Sequence, residues 1–134
     1  MKTPKFITAA MLLTVLWLTS GVAFAQSYKY NFPVALKGVL ILSTADPAIT
    51  YDEKPHQFPA LKLAQPISVL CASGETDCQP EMGVTVLHLV LKEKEMAQFK
   101  KLKGKAVKVS GTLFHSDSGH HFTSVLLDVK SITP

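Results

Sequence analysis

The tightest constraint in this sequence is a two-residue period that runs from Lys105 to Ile132. Val107, Val109, Gly111 and Leu113 alternate with Lys108, Ser110 and Thr112. Beyond the turn-rich Ser116-Asp117-Ser118-Gly119, the residues Thr123, Val125, Leu127 and Val129 alternate with Ser124, Asp128 and Lys130. Successive side chains of a strand point to opposite faces, so this period belongs to half-buried β-strands. The segment reads as a hairpin with one apolar face, and a lone hairpin cannot cover such a face by itself. Gly111, in mid-strand, marks a bulge or a sharp coil.

Matching apolar positions sets an expected register. A five-residue loop, Ser116 to His120, pairs 115 with 121, 113 with 123, 109 with 127 and 107 with 129, and every apolar residue then faces inward. In that register His115 and His121 are cross-strand neighbours at the open end of the sheet, with His120 at the loop shoulder and Asp117 at its tip. Two such imidazoles are candidate ligands for zinc or copper, with His120 or Asp117 as a third. The same cluster suits an anionic or carbonyl ligand, or a pH sensor. It also suits a purely structural role, with hydrogen bonds to Ser116, Ser118 and Thr123. His88 lies in another strand and reads as a core or face residue. His56 lies in a proline-rich loop and belongs to no pattern.

Upstream, Val34 to Ser43 is an apolar strand dense enough to be central, and Thr44 to Pro59 is a long loop holding Pro47, Pro55 and Pro59. Phe58 to Ala64 is a second strand that Pro66 interrupts, with Ile67 to Leu70 as a possible extension. Val84 to Leu91 is a third strand. Over Lys92 to Lys103 the period changes: Met96, Phe99 and Leu102 share one helical face, and Gly104 sits where a left-handed residue stops a helix. Its lysines read as the solvated side of a short amphipathic helix, gathered where they complement the helix dipole. Three strands, a helix and a hairpin make the expected fold mainly β, a small five-stranded OB-like barrel with one helix between strands 3 and 4.

The N-terminus carries an address. Lys2 and Lys5 precede the apolar run Ile7 to Leu18, and Ala23-Phe24-Ala25 offers the small residues that a signal peptidase needs. The run is too short for a membrane span of about 20 apolar residues. Residues 1–25 therefore read as a signal peptide, and residues 26–134 as one OB-like β domain in the periplasm or outside the cell. Cleavage leaves 109 of the 134 residues. In that oxidising compartment Cys71 and Cys78, spaced across a polar, turn-rich loop, read as a disulfide.

Composition narrows the function classes. The chain has 14 basic and 10 acidic residues; Lys2 and Lys5 leave with the signal, which lowers the net charge from +4 to +2. All the basic residues are lysines, and the only tryptophan, Trp17, is in the signal. Nucleic-acid binders usually use arginine for bidentate contacts and aromatics for stacking, so that partner is not expected. Enzyme activity is not expected either. No G-x-S-x-G or H-E-x-x-H is present, and Ser116 and Ser118 lie in a mobile turn.

The residues Gly104-Lys105-x-Val107-x-Val109-x-Gly111-Thr112-Leu113-Phe114-His115, followed by Ser118-Gly119-His120-His121-x-Thr123-x-Val125-Leu126-Leu127, resemble the C-terminal signature of an exported bacterial family catalogued as domain of unknown function 4431. Lys37-Gly38-x-Leu40 and the segment from Leu61 to Cys71 resemble the same family's N-terminal half. The chain departs from the family pattern at Phe122, where the family has a third consecutive histidine. It departs again at Thr44 to Lys54, which replaces a proline- and glycine-rich stretch. The resemblance implies a small exported β-domain and assigns it no activity.

The expectation is a non-enzymatic periplasmic binding domain for a small ligand or a protein partner, using His115, His120, His121 and Asp117. A periplasmic inhibitor or immunity protein that plugs a toxin with the 44–59 loop is the alternative from another class. Transition-metal binding through His115 and His121 is a further alternative. OB-type barrels that bind cationic or small molecules are suggested by fold analogy alone.

Overall fold

The computed structural model describes residues 25–134. The expected signal peptide lies outside them, apart from Ala25. The elements in chain order are β1 Gln26–Lys29, β2 Pro33–Thr44, β3 Gln57–Leu70, β4 Glu81–Val90, α1 Glu93–Leu102, β5 Ala106–His115 and β6 Val125–Thr133, with a 3-10 turn at Pro47–Ile49.

The strands form one mixed six-stranded sheet in the order β1-β3-β2-β5-β6-β4. An additional β3–β4 pairing closes five of them, β2 to β6, into a ring. The ring is antiparallel except where β4 runs parallel to β6. The mainly β reading holds, and α1 falls between the third and fourth strands of the ring as expected. Strand β1 is an addition, pairing parallel with Ile67–Leu70 outside the ring.

Alternation decides what fills the ring. Leu40, Leu61, Leu87, Val109, Leu113 and Leu127 are completely buried. Burying each such leucine stabilises the fold by about 1.5–3 kcal/mol relative to leaving it in water. Helix α1 covers one end by inserting Phe99, with Met96 and Leu102 packed beside it. Its stop is a turn: Lys103 has φ −53° and ψ 133°, Gly104 has φ +84°, and the Lys105 N–H donates to Leu102 O at 3.0 Å. That is the pattern of a type II turn, which favours glycine at its third position. The Gly104 N–H then donates to Leu40 O at 2.7 Å and ties the helix end to β2.

One expectation is borne out and one is corrected. Ile67 to Leu70 does extend the second strand past Pro66, and β3 runs on to Leu70. Pairing with β2 runs from Gln57 to Leu63 and pairing with β1 from Ile67 to Leu70, so Pro66 sits where β3 changes partners. There its missing N–H costs no ladder bond. The hairpin register differs: His115 pairs with Val125, Leu113 with Leu127, Gly111 with Val129 and Val109 with Ile132. The expected pairs (115 with 121, 113 with 123, 109 with 127, 107 with 129) do not form. Moving 113 from 123 to 127 is a shift of four, and an even shift leaves every side chain on its original face. The inward–outward pattern is therefore blind to it. Past the bulge at Ser110/Gly111 the shift becomes five, and the extra residue changes the phase so that the buried Ile132 stands opposite Val109.

Candidate functional site

The connection between β5 and β6 is a nine-residue loop, 116–124, closed by the Ser116 N–H donating to Ser124 O at 3.0 Å. Residues 121–123 do not pair with β5 because β4 holds them. The Phe122 N–H donates to His88 Nδ1 at 3.3 Å, and the His88 N–H donates to Thr123 Oγ1 at 3.0 Å. The Thr123 hydroxyl in turn donates to Val125 O at 2.6 Å. The loop is pinned at its return end, while Asp117, Ser118, Gly119 and His120 stay exposed.

Of the four residues that the sequence placed together, Asp117 stays against His121, while His115 pairs across the strands with Val125 and not with His121. His115 lies on the side of the loop facing the cysteines. Its Nδ1–H donates to Ser116 O at 2.9 Å, and its Nε2 is 3.9 Å from Glu81 Oε1. Asp117 links two settings: its carboxylate is 3.1 Å from His121 Nδ1, and the residue also borders the groove beside His115. The Asp117 N–H also reaches His121 Nδ1 at 3.1 Å. A neutral imidazole takes that N–H, and a protonated one donates to the carboxylate instead. His121 sits edge-on to Phe114 with ring centroids 5.5 Å apart. His120 packs on Tyr51 of the 45–56 loop at 4.6 Å.

Beside His115 a groove of about 560 Å³ opens between the disulfide loop and the hairpin. Cys71 and Cys78 are bonded, as expected, and hold the loop that carries Glu75 and Asp77. The groove is lined by the aromatic residues Tyr30, Phe114 and His115, and by the acidic residues Glu75, Asp77 and Asp117. Tyr30 meets His115 edge-on at 5.8 Å. Its hydroxyl is buried with no hydrogen-bond partner among the described residues. Burial, reinforced by the charge of Glu81, pushes that phenol up to about 12. Asn31, at φ +65°, donates from Nδ2 to Glu75 Oε1 at 3.1 Å and ties the β1–β2 turn to the disulfide loop.

On the other side of the hairpin loop lies an aromatic–histidine seam. His56 and His88 both lie near-parallel to Phe122, at 5.5 Å and interplanar angles of 10° and 8°. His56 Nε2 is 2.7 Å from Asp52 Oδ1, and this hydrogen bond holds the Asp52 carboxyl below its usual range. His88 is buried, and burial, helped by the nearby His121, pushes its imidazole down to about 4. It is therefore neutral near pH 7.

His115 and His121 are not cross-strand neighbours, so the expected two-imidazole metal pair is not assembled. Among the described residues, one group of three possible ligands has its atoms within 4.8 Å of one another: Cys71, Glu75 and Cys78. Its two sulfurs are bonded to each other and cannot act as thiolates. Sequence reasoning missed Tyr30, Phe114, Glu75 and Asp77 as groove residues, and His56 as a member of the seam. The signal for Glu75 and Asp77 was present: a short loop closed by a disulfide presents its charges rigidly.

Among the described residues no helix is long and apolar enough to cross a membrane. No curated protein and no solved structure gives a significant match to the chain. Residues 86–133, from the second half of β4 through α1 and the hairpin, match the family described as domain of unknown function (DUF4431).

Proposed function

We propose that this chain is an exported, non-enzymatic binding domain that takes a small organic cation in the groove between the disulfide loop and the β5–β6 hairpin. The observation that carries the reading is the groove's chemistry: Glu75, Asp77 and Asp117 around Tyr30, Phe114 and His115. Aromatic faces and carboxylates both attract a cation, and a concave site lets them act together. The exported chain is mildly basic, so this local excess of negative charge is not a property of the whole surface. The disulfide and the Asn31–Glu75 hydrogen bond fix the carboxylates in advance, which lowers the ordering cost of binding. We read the five-strand ring, with its parallel β4–β6 pairing and interposed helix, as an OB-like barrel. Such barrels bind ligands with the loops that correspond to 45–56 and 116–124. That likeness is one of fold and supports binding without naming a ligand.

Calorimetric titration with benzylamine and spermidine, against uncharged benzyl alcohol, tests the proposal. The amines should bind and the alcohol should not. A Glu75→Gln/Asp117→Asn variant should bind the amines about tenfold more weakly, the loss of one or two charge-assisted contacts. Equal affinity in the variant, or equal heats from the alcohol, rejects the reading.

The inhibitor alternative has one observation in its favour. Ile49 and Tyr51, on the loop expected to serve as a plug, are 58% and 60% exposed. Exposed apolar side chains on a projecting loop suit a protein partner. A cross-linker at Tyr51 that captures a single envelope protein from cells would support this reading, and capture of none would oppose it.

A further inference from the structure

The outer face of β2 and its two neighbours has the opposite character to the groove. Lys37 of β2 stands directly across from Lys108 of β5, and Val39 stands between Lys62 of β3 and Ala106 of β5. Like charges directly opposite one another are unfavourable in an antiparallel pair. Among the described residues, none of the three lysines takes part in an ion pair. The floor between them is apolar, made by half-buried Val39 with exposed Ala64 and Ala106. Gly38, between Lys37 and Val39, faces the interior instead, and Thr133 and Pro134 complete the lining. The result is a cleft of about 770 Å³, within the range of small-molecule sites.

We propose that this cleft binds a soluble, single-chain anionic amphiphile, with its hydrocarbon chain over Val39, Ala64 and Ala106 and its head group between the lysines. A purely polar anion leaves the floor uncovered, and a neutral lipid leaves three ammonium groups unanswered. Three strands at about 4.8 Å spacing make a floor roughly 10 Å across, wide enough for one chain and too narrow to be a bilayer-docking surface. The site shares no residue with the acidic groove, so the two readings succeed or fail independently.

The experiment is calorimetric titration of the purified, disulfide-bonded protein with decanoate below its micelle concentration. Decyltrimethylammonium, inorganic phosphate and phosphatidylglycerol vesicles are the comparators. Decanoate should bind saturably, one to one, and far more tightly than any comparator. Lys108→Glu should weaken it about tenfold. That variant puts opposite charges across the β2–β5 pair, so its melting temperature should be held or raised, and lost binding cannot be blamed on lost fold. Ala106→Asp, which puts a charge on the floor, should abolish binding as well. The proposal is overturned if decanoate gives no saturable heat or if Lys108→Glu binds it unchanged. It is overturned equally if decyltrimethylammonium, phosphate or vesicles bind as well as decanoate does.

Discussion

The backbone N–H of Phe122 donates to Nδ1 of His88 at 3.3 Å, joining loop to strand across 34 residues of chain. An imidazole nitrogen that accepts a hydrogen bond carries no proton, so this contact fixes His88 as the Nε2–H tautomer. Protonating His88 would replace the accepted bond with two N–H groups facing each other. The return of the hairpin loop is thus linked to the charge of one buried side chain.

A pH dependence follows. His88 titrates near 4 in the folded chain because of burial and then of His121, the titratable ring that faces it at 6.4 Å. An unfolded histidine titrates at about 6.5. As pH falls below that value the unfolded state takes up the proton first. The contribution of His88 to stability therefore declines between about pH 6.5 and 4 and levels off below, by at most about 3 kcal/mol. Urea unfolding midpoints measured across this window should fall for the native protein and fall less for His88→Gln. Parallel curves for the two would reject the assignment.

The disulfide should matter twice. Closing the loop from Cys71 to Cys78 restricts the unfolded chain, and Cys71→Ser/Cys78→Ser should lower stability by about 2–3 kcal/mol. Because that loop carries Glu75 and Asp77, the same variant should lose amine affinity at temperatures where it remains folded. Chemical denaturation and calorimetry on one preparation separate the two effects.

How far the sequence reveals the site depends on the residue. Period alone placed Val109, Leu113 and Leu127 in the core, and the glycine after Leu102 placed the end of the helix. Period could not choose between 113 paired with 123 and 113 paired with 127, since both put the same faces inward. The choice is made by Thr123 and Phe122 bonding to His88, a contact with a strand far away in sequence. Tyr30 escaped notice because β1 is four residues long and its last neighbour before the turn is an ordinary lysine. His56 gained its setting only when the 45–56 loop folded against the hairpin. Short-range alternation is legible; side-chain meetings between distant loops are not.

Gly111 is required by crowding. A Cβ there would collide with the backbone of Asp128, whose carbonyl oxygen lies against it in the neighbouring strand. Backbone in the middle of a ring cannot move aside cheaply, so Gly111→Ala should destabilise by roughly 2–3 kcal/mol or more. Gly38→Ala, against Lys62 O, should behave similarly. Thermal melts of both, with Gly74→Ala as a comparison in open space, would separate the cost of close approach from that of backbone strain. Gly74 has a φ of +88°, so its substitution strains the backbone but meets no neighbour.

Tyr30 offers a test in the stabilising direction. The residue is 2% exposed and its hydroxyl has no partner among the described residues, so the fold bears the cost of desolvating that group. Tyr30→Phe removes the oxygen and keeps the ring against His115. Deleting an unsatisfied buried hydroxyl should be neutral or should stabilise by about 1 kcal/mol, whereas deleting a bonded one costs a similar amount. The neighbouring Glu81 charge, which disfavours ionising the phenol, gives the variant a second readout. The native Tyr30 ring should resist ionisation in a spectroscopic titration until about pH 12, and that late step should be missing from the variant. A Tyr30→Phe variant that melts well below the native protein would mean the hydroxyl is held by a partner, and the groove floor would then need to be redrawn around it.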